Sequence, residues 1–150
     1  MGIEKDINQQ TFRNDHQKAA INLIYTYNWL SEKMKLFFDR EGITSQQFNI
    51  LRILRGAGVP ISTLQIRERM LDKMSDTSRI VDRLVLKGLA QKNTCKGDKR
   101  LVDVSITAKG KKLLEKIDEH EQEMDAVFGN LTATEAAQLN KLLDKIRQPK

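Results

Sequence analysis

Residues 62–106 combine a short helix, a tight turn, a second helix and two strand-like segments, and this succession restricts the fold more than any other feature of the chain. Ser62 and Gln65 have the spacing of a capping box, which predicts that the short helix starts here and buries Leu64 and Ile66. A tight turn then leads into the second helix. Two helices joined in this way form a helix-turn-helix.

The second helix of this pair is amphipathic, and Ser75 or Asp76 is its predicted N-cap. Gly88 is predicted to end it, because glycine readily adopts the left-handed conformation that follows many helices. The side predicted to face the core holds Thr77, Ile80, Val81 and Leu84. The opposite side holds Ser75, Ser78, Arg79, Asp82, Arg83 and Leu86.

Two short segments after this helix, LAQKNT and LVDVSI, are each predicted to form a strand. The second segment contains the β-branched residues Val102, Val104 and Ile106. The loop between the segments runs from Cys95 to Arg100 and is rich in lysine and arginine. A hairpin directly after a helix-turn-helix predicts a winged helix, with the basic loop at the tip of the wing.

A long helix is predicted before this winged helix. Apolar residues recur at alternating steps of three and four from Ala20 to Phe37, which predicts one helix over residues 15–38. This apolar seam suits packing within the chain, and it equally suits packing against a second subunit.

Three more helices are predicted from their caps. Thr44 and Thr132 each begin a capping-box pattern, and Thr107 is predicted to cap a helix that extends to Phe128. With these helices, the chain is expected to be one domain, residues 1–150, in the mainly α class with a small β-hairpin wing.

The positive charge is concentrated in the middle of the chain. The 150 residues carry a net charge of +6, and residues 67–100 hold ten Lys/Arg against five Asp/Glu, a local net charge of +5. Residues 111–125 hold three Lys against six Asp/Glu, a local net charge of −3. A cationic middle segment favours a polyanionic partner, and an ordinary solvated surface is the alternative interpretation.

Composition argues against several other classes of protein. No apolar run reaches the roughly 18 residues that span a bilayer, and the N-terminus lacks the apolar core of a secretory signal. The one cysteine, Cys95, cannot form an internal disulfide, so the cytoplasm is the expected location and no membrane partner is expected. His16 and His120 lie far apart and outside any metal-ligand spacing, so we expect no enzymatic activity, metal or cofactor.

The two basic elements of the predicted winged helix suit double-stranded DNA. An α-helix fits the major groove, where Arg79 can donate two hydrogen bonds to a guanine and Asp82 can hold a guanidinium in place. The loop around Gly97 is thin enough to enter a minor groove. Two alternatives remain open: Arg79 and Asp82 form an ordinary surface pair, or the winged helix binds a protein rather than DNA.

The sequences TSRIVDRLVLKGL and DKRLVDVSITAKG resemble the recognition helix and the wing of the MarR family of bacterial transcription regulators. The matching positions in the helix are Arg79, Asp82, Arg83, Leu84, Gly88 and Leu89. The matching positions in and after the wing are Asp98, Arg100, Thr107 and Gly110. Ser78 stands where the family commonly has Thr, and Lys92 stands where Arg is frequent.

The resemblance implies a homodimer that binds pseudo-palindromic promoter DNA, usually as a repressor. It implies a DNA-binding lobe at about residues 44–106 and dimerisation helices at about residues 11–40 and 107–147. The expected DNA contacts are Ser75, Asp76, Thr77, Ser78, Arg79, Asp82 and Arg83 in the recognition helix, Lys96, Gly97, Asp98, Lys99 and Arg100 in the wing, and Ser62 and Thr63 in the preceding helix.

The resemblance also implies a small-molecule effector. Many members of the family bind small aromatic or phenolic acids in a cleft between the dimer helices and the winged helix. Tyr25, Tyr27 and Trp29 are candidates for lining such a cleft, and a packed core is the alternative for them. Cys95 lies among lysines that lower a thiol pKa, so it is a candidate oxidant sensor, with incidental exposure as the alternative.

Overall fold

A computed structural model of the chain describes residues 2–94 and 102–150. The elements in chain order are α1 (Ile3–Asp6), α2 (Asp15–Asp39), α3 (Ser45–Ala57), β1 (Ile61–Ser62), α4 (Thr63–Arg69), α5 (Thr77–Leu86), β2 (Ala90–Thr94), β3 (Val102–Ile106), α6 (Ala108–Asp118), α7 (Glu121–Asp125), a short 3-10 helix (Ala126–Phe128) and α8 (Ala133–Ile146). The predicted mainly α class with a small antiparallel sheet is confirmed. Among these residues, no helix combines the length and the apolar character that a bilayer-spanning segment needs.

The contacts of the chain divide it into two compact units, Met1–Phe48 and Asn49–Lys150. In the first unit, Phe38 is fully buried and its ring stacks on that of Phe48 with 4.5 Å between the ring centroids. The predicted long helix is confirmed as α2, and within its 25 described residues Phe38 is the one buried side chain. Most of the apolar residues of α2 are therefore in contact with solvent in the isolated chain.

The second unit has its core beneath the helix-turn-helix and the sheet. Its fully buried side chains are Ile50, Leu51, Ile66, Val81, Leu84, Val104 and Leu114. In α5, the predicted inner side is confirmed for Thr77, Val81 and Leu84, while Ile80 is half-buried. Gly88 ends this helix with φ of +72°, as predicted.

The sheet has three strands in the order β1-β3-β2, one more than the predicted hairpin. β2 and β3 pair antiparallel from Ala90 opposite Ile106 to Thr94 opposite Val102. The additional strand is β1, which places Ile61 opposite Val104 on the other edge of β3. A strand of two residues is too short to show the alternating apolar pattern by which strands are predicted.

The capping boxes form where the spacing predicts them, and each joins two side chains reciprocally to backbone N–H groups. The pairs are Thr44 with Gln47, Ser62 with Gln65, and Thr132 with Glu135. In the last pair, the hydrogen bonds from Thr132 lower the pKa of the Glu135 carboxyl. These helix starts depend on neighbours three residues apart, so the local sequence is enough to predict them.

The predicted burial of Leu64 is wrong. Ile66 is fully buried, whereas 65% of Leu64 is exposed. The two residues are two positions apart in α4, and positions i and i+2 of a helix lie on different faces. A helix of seven residues that packs one face on the core therefore cannot bury both side chains.

The predicted single helix from Thr107 to Phe128 is also wrong, because α6 ends at Asp118 and α7 begins at Glu121. His120 between them has φ of −112° and ψ of 14°, which is not helical. Asp118 and Glu119 lie at the negative C-terminal end of the α6 dipole, which disfavours them, and the guanidinium of Arg55 offsets this for Asp118. Acidic residues in the first turn of α7 are favourable, because that end of the dipole is positive.

Candidate nucleic-acid interface

The start of α5 is held by the side chain of Asp76 and the backbone carbonyl of Asp72. Asp76 is the N-cap, since the Arg79 backbone N–H donates to its Oδ1 at 3.2 Å. The sequence left Ser75 as the alternative cap, but the Ser75 hydroxyl instead donates to the carbonyl of Asp72 at 2.7 Å. The N-terminal end of α5 therefore has a defined position relative to the turn before it.

One face of α5 is exposed and carries two arginines. The exposed residues of this face are Ser78, Arg79, Asp82, Arg83 and Leu86. In the described ranges 2–94 and 102–150, no carboxylate pairs with the guanidinium of Arg79 or Arg83. Both cations are therefore available to an external partner in the isolated chain.

Asp82 does not contact a guanidinium among the described residues, contrary to the expectation from the sequence. The carboxylate of Asp82 pairs with the ammonium group of Lys92, in β2. This ion pair joins the recognition helix to the first strand of the wing. The sequence alone does not predict this pair, because ten residues separate Lys92 from Asp82 and no local spacing rule connects them.

Thr77 is the one predicted contact on the recognition helix that the fold buries, with 4% of the residue exposed. Among the described residues, its Oγ1 is buried and has no hydrogen-bond partner. Its side chain lies on the inner side of α5, away from the arginines, so it is not available to a polyanion in this structure. The expectation that Thr77 contacts DNA stays a prediction.

The two predicted residues of the preceding helix adjoin α5. Ser62 caps α4, where its Oγ accepts from the Gln65 N–H at 3.1 Å, and Thr63 is half-buried. Together with Ser78 of α5 they line a cleft of about 350 Å³. The other lining residues are Leu64, Val81, Lys92 and Val102. The fold thus brings residues of α4, α5 and the sheet to one cleft beside the arginine face.

The predicted wing contacts lie outside the described residues. They are Lys96, Gly97, Asp98, Lys99 and Arg100, and Cys95 lies outside them as well. The two strands that flank this segment, β2 and β3, are paired in register. The roles of the segment stay predictions.

A helix-turn-helix followed by an antiparallel wing, with exposed arginines on the second helix, defines a winged-helix protein. The profile of the MarR family matches residues 43–102. The multiple antibiotic resistance protein MarR of Salmonella typhimurium is 31% identical over 131 residues, which cover 83% of this chain and 88% of that protein. The chain belongs to the MarR family of transcriptional regulators.

Solved structures of other regulators have the same fold. A cysteine-to-serine variant of Escherichia coli MarR, crystallised with operator DNA, superposes with a TM-score of 0.81 at 24% identity and covers 93% of this chain and 100% of its own. Bordetella bronchiseptica BpsR, whose DNA binding is regulated by 6-hydroxynicotinic acid, superposes with a TM-score of 0.70 at 21% identity. That match covers 84% of this chain and 98% of BpsR.

Proposed function

We propose that this chain is a repressor that binds pseudo-palindromic duplex DNA as a homodimer and leaves it when a small aromatic acid binds. The observation that carries the proposal is the exposed face of α5, on which Arg79 and Arg83 have no carboxylate partner among the described residues. The E. coli MarR structure contains operator DNA, which supports the same role for α5 here. A repressor of this kind acts at the bacterial chromosome, so the cytoplasm is its proposed location.

In the proposed complex, α5 lies in the major groove. Residues near the N-terminal end of a recognition helix contact base edges, and Arg79 lies in the first turn of α5. The proposed contacts on α5 and just before it are Ser75, Asp76, Ser78, Arg79, Asp82 and Arg83. Ser62 and Thr63 are proposed to contact phosphate, and the wing segment from Lys96 to Arg100 is proposed to contact the neighbouring minor groove.

The Lys92–Asp82 pair supports this arrangement electrostatically. An unpaired carboxylate on the arginine face would repel phosphate groups of the duplex. Lys92 neutralises it and joins the recognition helix to the wing at the same time. Both DNA-binding elements are therefore expected to dock as one body.

Exposed apolar side chains support the homodimer. On α2, Ile24 and Tyr27 are 63% and 64% exposed, and on α8, Leu142 and Ile146 are 60% and 67% exposed. Apolar patches of this kind on a monomer usually mark an interface. We propose that a second copy covers them, with residues 11–40 and 107–147 as the dimerisation helices and residues 44–106 as the DNA-binding lobe. Sedimentation at micromolar concentration should give a dimer, and a folded monomer would contradict the two-site DNA complex.

We propose the cleft beside α5 as an effector site. Its volume of about 350 Å³ suits a small molecule. The hydroxyls of Ser62, Thr63 and Ser78 are hydrogen-bonding groups, and Leu64 and Val81 give it apolar walls. The DNA binding of BpsR is regulated by 6-hydroxynicotinic acid, a small aromatic acid like the effector proposed here. The alternative cleft with Tyr25, Tyr27 and Trp29 stays a prediction.

Lys92 gives this cleft a mechanism. A ligand carboxylate in the cleft would compete with Asp82 for the Lys92 ammonium group. Displacement of Asp82 would leave an unpaired carboxylate on the DNA-facing side of α5 and would release the helix from the wing. Both effects weaken DNA binding, so effector and DNA are expected to exclude each other.

Selection of bound duplexes from a random pool tests the proposal. We expect recovered sequences with inverted repeats whose half-site centres lie about 10 to 10.5 base pairs apart, because a two-fold dimer presents two recognition helices about one DNA turn apart. Binding that is measured at two salt concentrations should weaken as salt rises. Absence of enrichment and of any duplex binding would favour the rival function, a winged-helix module that binds another protein.

A further inference from the structure

The connection between α4 and α5 exposes two large apolar side chains. Leu71 is 78% exposed and Met74 is 92% exposed. They lie in a part of the chain, residues 67–100, whose net charge is +5. Duplex DNA offers negative charge and, in the methyl group of thymine, a small apolar group, so it complements both features.

Hydrogen bonds hold the backbone of this connection in place. The Met74 N–H donates to Oδ1 of Asp72 at 2.9 Å, and the Leu71 N–H donates to Oδ1 of Asn49 at 3.0 Å. The Ser75 hydroxyl donates to the carbonyl of Asp72 at 2.7 Å. The exposure of Met74 is therefore a property of an ordered turn, whose backbone is bonded to its own side chains and to α3.

Met74 lies two residues before Asp76, the N-cap of α5. Resting on the proposed function, we propose that Met74 contacts the C5-methyl group of a thymine in each half-site and so determines part of the sequence specificity. The thymine methyl is the apolar group that base pairs present in the major groove. The phosphates beside it suit the positive net charge of residues 67–100. The unbranched, polarisable side chain of methionine adapts well to such a contact.

Leu86 is the matched comparison. It is 87% exposed and lies on the same face of α5 as Arg79, seven residues further along the helix. Seven residues correspond to about 10 Å along a helix axis, which places Leu86 toward the end that leaves the groove. A polar substitution at Leu86 should therefore not alter thymine recognition.

Deoxyuridine substitution tests the contact, because it removes only the methyl group. Each thymine of one half-site in the selected operator is replaced in turn, and binding is measured for the unsubstituted chain, Met74→Gln and Leu86→Gln. We expect one position at which the unsubstituted chain and Leu86→Gln lose about three- to fourfold in affinity, the value of one buried carbon group. Met74→Gln should bind the thymine and deoxyuridine duplexes equally.

Three outcomes would overturn this inference while leaving the proposed function intact. One is operator binding that no deoxyuridine substitution weakens. Another is a methyl effect that persists in Met74→Gln. The third is a change of oligomeric state in Met74→Gln by sedimentation, which would mean that a second copy of the chain covers Met74. Failure of the unsubstituted chain to bind any duplex would instead contradict the proposed function.

Discussion

Arg55, near the C-terminal end of α3, donates two hydrogen bonds to the carboxylate of Asp118, the last residue of α6. The distances are 2.6 Å from Nη1 to Oδ2 and 3.2 Å from Nη2 to Oδ1. These bonds raise the pKa of the Arg55 guanidinium, and the charges of Glu121 and Glu115 act in the same direction. The pair joins residues that are 63 positions apart, at the point where α6 ends.

Breaking this pair should lower the free energy of unfolding. We expect Asp118→Asn to cost about 1 kcal/mol, since the geometry is bidentate but both side chains are 36% exposed and solvent screens them. Urea unfolding of both single variants and of Arg55→Met/Asp118→Asn gives the coupling between the two residues. The exposed pair of Asp144 and Arg147 is the control, and its removal should change little. Equal losses in the free energy of unfolding at the two pairs would contradict a stabilising role of the Arg55–Asp118 pair.

Two glycines should respond in opposite directions to alanine. A methyl group at Gly110 would lie 2.7 Å from Cγ1 of Ile106 and closer still to the carbonyl oxygen of Leu89, so Gly110→Ala should destabilise by about 1 to 3 kcal/mol. Gly56 lies in α3 with nothing within 4 Å of such a methyl group. Gly56→Ala should therefore be neutral or stabilise by up to about 1 kcal/mol. Thermal unfolding of the two variants measures the difference. Equal losses of stability would show that the space around each glycine does not determine the effect of the methyl group.

Arg79→Ala tests direct reading of a base. If Arg79 donates to a guanine, the substitution should cost about 1 to 3 kcal/mol with the selected operator and much less once that base pair is changed. Lys150→Ala, at an exposed lysine beyond the proposed dimerisation helices, is the control and should leave affinity unchanged. A uniform loss across operator variants would show instead that Arg79 contacts phosphate.

Arg100→Ala tests the predicted wing contact. Loss of a phosphate contact should weaken binding to operator and random DNA alike and flatten the plot of log K against log salt by roughly 0.9 per contact, so up to about 1.8 for a dimer. Arg100→Lys should keep most of the slope, because lysine retains the charge without the planar fork. If Arg100 only pairs with Asp98, then Asp98→Ala should hurt as much as Arg100→Ala and the slope should not change.

Lys92→Gln tests the proposed effector site, with 2-hydroxybenzoate as the probe. The acid should weaken operator binding by the unsubstituted chain, because its carboxylate competes with Asp82 for Lys92. Lys92→Gln should bind DNA more weakly, and the acid should no longer change its affinity. Lys112→Gln, an exposed lysine of α6 outside the cleft, should behave as the unsubstituted chain. An unchanged response in Lys92→Gln would place the effector elsewhere.

The local sequence is enough to predict several helix boundaries and the exposed face of α5. Thr44, Ser62 and Thr132 each start a helix because the residue three positions later completes the cap. Gly88 ends α5 because glycine adopts a positive φ without steric cost. The arginine face of α5 follows from the helical period, since Arg79 and Arg83 lie opposite Val81 and Leu84. These features depend on residues within one or two helical turns of each other.

Tertiary structure decided what distant residues do together. Asp82 meets Lys92 rather than a neighbouring arginine, because the wing strand folds back against α5. Ile61 becomes a strand only through its pairing with Val104, forty-three residues away. The packing of α5 buries Thr77, and the packing of α4 leaves Leu64 exposed to solvent. The sequence by itself thus determined the helix-turn-helix, the hairpin after it and the charged face of α5. The partners of each charge depend on contacts between distant segments, which no local pattern encodes.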